Sequence, residues 1–276
     1  MAYGLLIDTS RCTACRGCQV ACKAWNQLPA EKTEFTGSVE NPPANSGETW
    51  LRVTYNEISD GNGGVKWLFG QDRCMHCIEP SCANVCAAGA IKKLDNGAVR
   101  IDQDVCIGCK NCHYACPFFG GVPRFRGEIT EEEKALEEKG QIGGKRLAGT
   151  VYKCWMCQDR IENGLQPACA TACSNGAIQF GEREELLAKA EERIAALQAA
   201  GETKALVYNP KGVGGTGTIF VLTDDPEVYG LPKDPQVSTG DMVAKWLTGL
   251  ITAGVLTIVP FWMVFKAAEA EGKGGK

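Results

Sequence analysis

Histidine is nearly missing from this chain: His76 and His113 are the only two in 276 residues. Proton-transfer chemistry built on imidazole has almost nothing to draw on. A P-loop, a Rossmann glycine fingerprint and an H-E-x-x-H zinc motif are also missing. The glycine-rich GVGGTG that starts at Gly212 precedes a strand-like run, where a phosphate loop would need a helix, so it reads as a turn. There is no excess of positive charge either: 29 Lys+Arg stand against 33 Asp+Glu, for a net charge of -4. That removes the general electrostatic reason to bind nucleic acid. The opening residues, MAYGLLIDTSRC, lack the basic region, apolar run and small-residue cleavage site of a signal peptide, and lack a twin arginine. The expectation is that any export is not encoded there.

Cysteine is the opposite case, at sixteen residues. An even count can mean disulfides, but such frameworks belong to much shorter secreted chains without a core. Here the cysteines fall into four quartets: Cys12, Cys15, Cys18 and Cys22; Cys74, Cys77, Cys82 and Cys86; Cys106, Cys109, Cys112 and Cys116; Cys154, Cys157, Cys169 and Cys173. Every quartet begins C-x2-C and ends C-x3-C, and only the middle gap varies. The chain therefore repeats one ligand device four times, with no cysteine left over.

The third quartet, CIGCKNCHYACP, carries two motifs at once. It matches the bacterial ferredoxin run C-x2-C-x2-C-x3-C-P, and the CKNCH inside it matches c-type haem attachment. A haem there would orphan Cys106 and Cys116 and break the fourfold repeat, so the cluster reading takes precedence. His113 is then the residue after a ligand, bonding near the cluster or facing solvent. His76, in CMHC, invites a Rieske-type role, but with a full cysteine set it is expected beside the cluster or at the surface. Zinc also uses C-x2-C pairs, usually two pairs separated by a longer finger. The first and third quartets instead pack three cysteines into seven residues.

A cubane cluster takes four thiolates. Three closely spaced cysteines wrap one cluster, while the fourth, expected to open a helix, points away and ligates the other cluster of a pair. Four quartets thus predict two ferredoxin-like modules and four 4Fe-4S clusters. With no substrate site beside them, the clusters form an electron conduit.

Between the quartets, ETWLRVTYNEISDGNGGVKWLFG from Glu48 reads as a β-hairpin. TEEEKALEEK, with a Thr130/Glu133 capping box and a stop at Gly140, reads as a short acidic helix. EREELLAKAEERIAALQAA from Glu182 places Leu186, Ala190, Ile194 and Leu197 on one face of a helix packed on the core, and ends at Gly201. The strands ALVYN and GTIFVLT follow, then a Pro-rich linker over 225–235. Trp246 to Phe265 is a run of 20 residues without a charge, about 30 Å as a helix, with aromatic residues at both ends. It reads as a membrane span in preference to a buried core helix, although Pro260 costs something in either setting. Lys266, Lys273 and Lys276 follow it and Lys233 and Lys245 precede it, which favours a cytoplasmic tail with the main domain on the other side.

Over residues 3–181 these motifs resemble the four-cluster ferredoxin-like subunits of membrane-associated molybdenum or tungsten bis-pterin oxidoreductases. RCTACRGCQVACKAWNQLPAEKTEFTGSVENPP and KCWMCQDRIENGLQPACATAC are most similar to the iron-sulfur (β) subunit of membrane-associated formate dehydrogenase. The resemblance implies that Cys12, Cys15, Cys18 and Cys173 hold one cluster, and Cys154, Cys157, Cys169 and Cys22 another. It pairs Cys74, Cys77 and Cys82 with Cys116, and Cys106, Cys109 and Cys112 with Cys86. Only Cys116 is followed by the family's proline; Lys23, Ala87 and Ser174 follow the other fourth cysteines.

The implied fold is α+β: two bacterial-ferredoxin-like modules, the second inserted in the first, plus a C-terminal single transmembrane helix. The expected layout is 1–73, first part of the outer module with the hairpin; 74–127, inserted module; 128–150, acidic helix and loop; 151–181, rest of the outer module; 182–240, amphipathic helix, strands and linker; 241–266, transmembrane helix; 267–276, polar tail. The implied partners are a Mo/W-bis-pterin catalytic α subunit, a membrane cytochrome b γ subunit and the lipid bilayer. The implied setting is the cell inner membrane, single-pass, with a periplasmic main domain. Electrons would run from formate to quinone. The same conduit in a quinol-linked polysulfide, thiosulfate, nitrate or sulfoxide reductase is the alternative, and a zinc-bound structural protein a remote one.

Overall fold

The structure is a computed structural model and describes residues 2–59, 61, 63–127, 131–138, 149–240 and 242–273. The chain divides into two compact units, Met1–Val237 and Ser238–Lys276. In chain order the first runs β1 (Tyr3–Asp8), α1 (Gly17–Trp25), β2 (Leu51–Ser59), β3 (Val65–Arg73), α2 (Ser81–Asn84), β4 (Ile91–Lys93), β5 (Val99–Ile101), α3 (Asn111–Ala115), β6 (Arg124–Phe125), α4 (Glu131–Glu138), β7 (Val151–Tyr152), α5 (Gln158–Glu162), α6 (Ala168–Thr171), β8 (Ile178–Glu182), α7 (Arg183–Ala199), β9 (Leu206–Tyr208) and β10 (Thr218–Leu222).

The two most apolar short runs, YGLLID and TIFVL, become the central strands of a sheet ordered β8-β1-β10-β9. β1 and β10 pair in parallel, Leu5 opposite Thr218 and Ile7 opposite Phe220. Because side chains alternate along a strand, a strand covered on both faces reads as continuously apolar. One face, with Leu6, Ile219 and Val221, packs against Leu186, Ala190 and Leu197 of α7. The other face sends Leu5, Ile7, Phe220 and Leu222 among the cysteine-bearing segments. α7 carries Glu184 and Glu185 in its first turn, where the helix dipole favours them. It stops at Gly201, whose φ of +101° suits glycine just past a helix end.

β2 and β3 form a hairpin with Leu51 opposite Arg73 and Ser59 opposite Val65. Asp60 and Asn62, part of the expected turn, lie outside the described residues. Period-two alternation puts Leu51, Val53, Phe69, Gln71 and Arg73 on one face, and that face is buried against cysteines. Around the cysteines the architecture repeats: α1 packs on α6, and α2 on α3 beneath the short β4–β5 hairpin.

Two expectations need correction. The third cysteine of each quartet, not the fourth, lies at a helix start: Cys18 in α1, Cys82 in α2, Cys112 in α3 and Cys169 in α6. The fourth comes four residues later, one turn on, within or just past the same helix. The stretch 225–235 is not a free linker. Tyr229 and Leu231 are buried there, the Tyr208 hydroxyl donates to Pro232 O at 2.6 Å, and the Thr9 hydroxyl donates to Tyr229 Oη at 3.4 Å. Prolines fix the path while the two apolar side chains between them cover the core. The Thr130 and Gly140 ends of the acidic helix lie outside the described residues.

The second unit holds α8 (Met242–Lys273). Within it Ala244–Lys266 is long and apolar enough to cross a membrane, by length and composition. Its large side chains stand exposed, Leu256 at 69%. The hydroxyls of Thr248, Thr252 and Thr257 return to carbonyls four residues back at 2.8 to 2.9 Å, which satisfies them inside the helix.

Candidate metal centres

All sixteen cysteines are free thiols, and the tertiary structure gathers them by crossing quartets. Cys12, Cys15 and Cys18 line a cavity of about 340 Å³ with Cys173. Cys106, Cys109 and Cys112 line one of about 330 Å³ with Cys86. Cys74, Cys77 and Cys82 line one of about 290 Å³ with Cys116. The shared lining, four cysteines in each, points to one kind of occupant. Most of the remaining wall is apolar: Val53 and Ile178 in the first, Ile91, Ile101 and Val151 in the second, Met75, Val99, Phe118 and Val122 in the third. The last four cysteines, Cys22, Cys154, Cys157 and Cys169, are all buried and close enough that their charges oppose one another.

A shared backbone turn shapes each loop. The residue before the second cysteine has positive φ in all four quartets: Ala14 at +54°, His76 at +48°, Gly108 at +68° and Met156 at +63°. Only one of these is glycine, so the other three hold a left-handed conformation that costs of order 1 kcal/mol. Four repeats of one turn at equivalent places, costly in three of them, mark it as part of the site. Gly108 has a second reason, since a Cβ there would sit 1.7 Å from Gly149 O.

The electrostatics describe what such a ring needs. Burial, then neighbouring thiols, pushes Cys18, Cys112 and Cys157 up to about 12, and Cys82 to about 12 although Lys153 opposes the shift. Four thiolates in one small space are unfavourable without a positive centre between them. No three His, Cys, Asp or Glu side chains among the described residues are placed to hold a single metal ion. Rings of four thiols around a cavity fit a cluster with several metal atoms better than one zinc ion. Donors to sulfur are in place as well: Ile178 N–H to Cys173 Sγ at 3.4 Å, His76 N–H to Cys74 Sγ at 3.5 Å, and Gln71 Nε2 to Cys18 Sγ at 3.6 Å.

The rings follow one another in space. Cys18 of the first ring neighbours Cys169. Lys153, fully buried, sits among Cys154, Cys74 and Cys82, and Cys82 in turn neighbours Cys112. The order is the ring of Cys12, then that of Cys154, then that of Cys74, then that of Cys106. Both end rings carry an exposed thiol, Cys15 and Cys109.

Both histidines have structural work. His76 is buried and its Nδ1 accepts from Val99 N–H at 3.0 Å, which ties the C-x2-C loop to β5. Burial, with Lys153 and Arg73 nearby, holds it neutral, well below the usual histidine range. His113 Nδ1 meets Pro123 O at 2.8 Å, under a turn at Gly121 where a Cβ would lie 2.6 Å from that nitrogen. The ring pins the turn after the third quartet.

The sequence profile of a 4Fe-4S dicluster domain matches residues 65–134 and 144–183, which contain the second, third and fourth quartets. The nitrate-inducible formate dehydrogenase iron-sulfur subunit of Escherichia coli is 41% identical over 258 residues, 91% of this chain and 80% of that protein. The chain belongs to the family of formate dehydrogenase iron-sulfur subunits. Other members are the formate dehydrogenase iron-sulfur subunit of Haemophilus influenzae, 40% identical over 84% of this chain and 69% of its own, and the formate dehydrogenase subunit beta of Megalodesulfovibrio gigas, 36% identical over 83% and 97%. The fold is accordingly a ferredoxin-like, mixed helix-and-strand 4Fe-4S domain.

Sequence reasoning missed Arg73 and Lys153, the buried cations beside the cysteines, and the left-handed turns. A basic residue just before a quartet, as in DRC and YKC, was the one available signal.

Proposed function

We propose that this chain is the electron conduit of a membrane formate dehydrogenase complex and holds four 4Fe-4S clusters. Each is ligated by three cysteines of one quartet and the last cysteine of its partner, with the middle module inserted in the outer one. The observation that carries the reading is that each of three cavities is lined by three cysteines of one quartet and the fourth of another. When bound, such clusters accept and pass on one electron at a time. The chain's residues fix the distances, exclude water with apolar walls and supply hydrogen bonds to sulfur. In a catalytic molybdenum or tungsten bis-pterin subunit, formate would become carbon dioxide, releasing a proton and an electron pair. The exposed Cys15 and Cys109 ends suit entry and exit, towards that subunit and towards a membrane cytochrome b and quinone. α8 would span the inner membrane once, with the main domain periplasmic.

Replacement of one shared cysteine tests the assignment. In Cys173→Ala, EPR of the anaerobically purified complex is expected to lose the centre of Cys12, Cys15 and Cys18, with roughly a quarter of this chain's cluster iron. Loss of the Cys154, Cys157 and Cys169 centre instead would overturn the crossed pairing, and zinc without acid-labile sulfide would overturn the clusters. Formate-dependent bleaching of a bound dye separates this complex from a quinol-linked reductase.

A further inference from the structure

Between the ring of Cys12 and the ring of Cys154 stands Arg73, the last residue of β3, at 1% exposure. Its two terminal nitrogens reach two sulfurs of one ring: Nη1 donates to Cys169 Sγ and Nη2 to Cys154 Sγ, both at 3.5 Å. Nη1 also donates to Gln71 Oε1 at 3.5 Å, and Gln71 Nε2 donates to Cys18 Sγ of the adjacent ring. Nε is buried with no partner. None of the ion pairs among the described residues pairs Arg73 with a carboxylate.

Burying a guanidinium carries a heavy desolvation cost unless negative charge compensates it. Among the described residues, sulfur is the only source of negative charge in contact with it. A planar fork reaches two acceptors at once, which a lysine ammonium cannot do as well. The ring it faces is also the one with every cysteine buried, Cys22 6%, Cys154 5%, Cys157 6% and Cys169 4% exposed. With little water nearby, the extra negative charge of a reduced centre would be hardest to hold there.

We propose that Arg73 sets the reduction potential of the centre at Cys22, Cys154, Cys157 and Cys169, raising it so that the most enclosed centre does not block the conduit. Gln71 holds the fork in place and touches the neighbouring centre. The electron added to this centre comes from one adjacent centre and leaves to the other, so Arg73 changes the equilibrium and not the stoichiometry. The proposal rests on the cluster assignment above.

The test is a potentiometric titration of the intact, anaerobically purified complex followed by EPR, taking as the centre concerned the one whose signal Cys154→Ala removes. In Arg73→Met the reduced-to-oxidised ratio of that centre at fixed ambient potential should fall roughly tenfold, a midpoint about 59 mV more negative for one electron. The centre at Cys106, Cys109, Cys112 and Cys86, at the far end of the row, should not move. Arg73→Lys, which keeps the charge without the fork, should recover part of the shift. If iron counting shows that the Met variant does not assemble this centre, Arg73→Lys against Arg73→Gln carries the test, the lysine giving the higher midpoint. An unshifted midpoint in a fully assembled Met variant, or equal midpoints for Lys and Gln, would sink the tuning role. Absence of any cubane signal from the unaltered complex would sink the cluster assignment, and this role with it.

Discussion

The four cysteine rings share a turn and a ligand count but not a setting. At the two ends, Cys15 and Cys109 are exposed, and large apolar side chains stand open nearby: Val20 on α1, Ile107 and Tyr114 around the third quartet. The two inner rings have no fully exposed thiol and are flanked by buried cations, Arg73 at one junction and Lys153 at the next. Lys153 Nζ donates to the carbonyls of Val99 and Cys154, so it ties β5 to the fourth quartet. The difference fits the division of labour in a conduit. An end must approach a partner closely, so it gives up burial. An inner ring needs no partner outside the chain, and its enclosure then has to be offset by charge.

The comparison breaks most visibly at the cysteines themselves. Cys154→Ala should lose its centre and also destabilise the fold by about 2 kcal/mol or more, because Cys154 lies in the main core with Phe118, Phe220 and Leu222. Cys109→Ala should lose a centre with the same drop in iron but a smaller drop in melting temperature. Iron analysis and thermal unfolding of the two variants, side by side, check this; equal melting temperatures would mean that the inner and outer rings do not differ in structural weight.

A smaller effect compares the same turn at two rings. Gly108→Ala places a Cβ against Gly149 O and should cost about 2 kcal/mol and weaken the Cys106 ring. At the matching position of the first quartet, Ala14→Gly relieves a positive φ and should change stability by under about 1 kcal/mol. Denaturant titration reads both.

The smallest effect on the rings should come from ending the chain after Val237, at the boundary between the two units. Cluster content, read as iron and sulfide, should stay the same while the protein moves out of the carbonate-resistant membrane fraction. Loss of iron on truncation would show that α8 supports the rings.

Much of the site can be read locally. C-x2-C and C-x3-C lie within one loop or one helical turn, so spacing alone exposes the repeat. The hairpin at Leu51–Arg73 and the amphipathic α7 were legible for the same reason, since period two and period 3.6 are properties of a single element. The helix starts fall one turn earlier than expected because in three of the four helices the first apolar position is itself a cysteine, which carries no capping signal. The 225–235 segment looked like a linker because proline content is visible in sequence and the burial of Tyr229 and Leu231 is not.

Sequence by itself determined the number of thiol quartets, the balance of ligands and the apolar stretch at the end, all carried by residues a few positions apart. Only the tertiary structure shows that three cavities are each lined by three cysteines of one quartet and the fourth of another, that Ala14, His76 and Met156 adopt a glycine-like turn, and that Arg73 reaches Cys154 and Cys169 from another segment. Those facts depend on packing between segments distant in the chain, where burial strengthens a charge or a sulfur contact that has no periodic trace in the sequence.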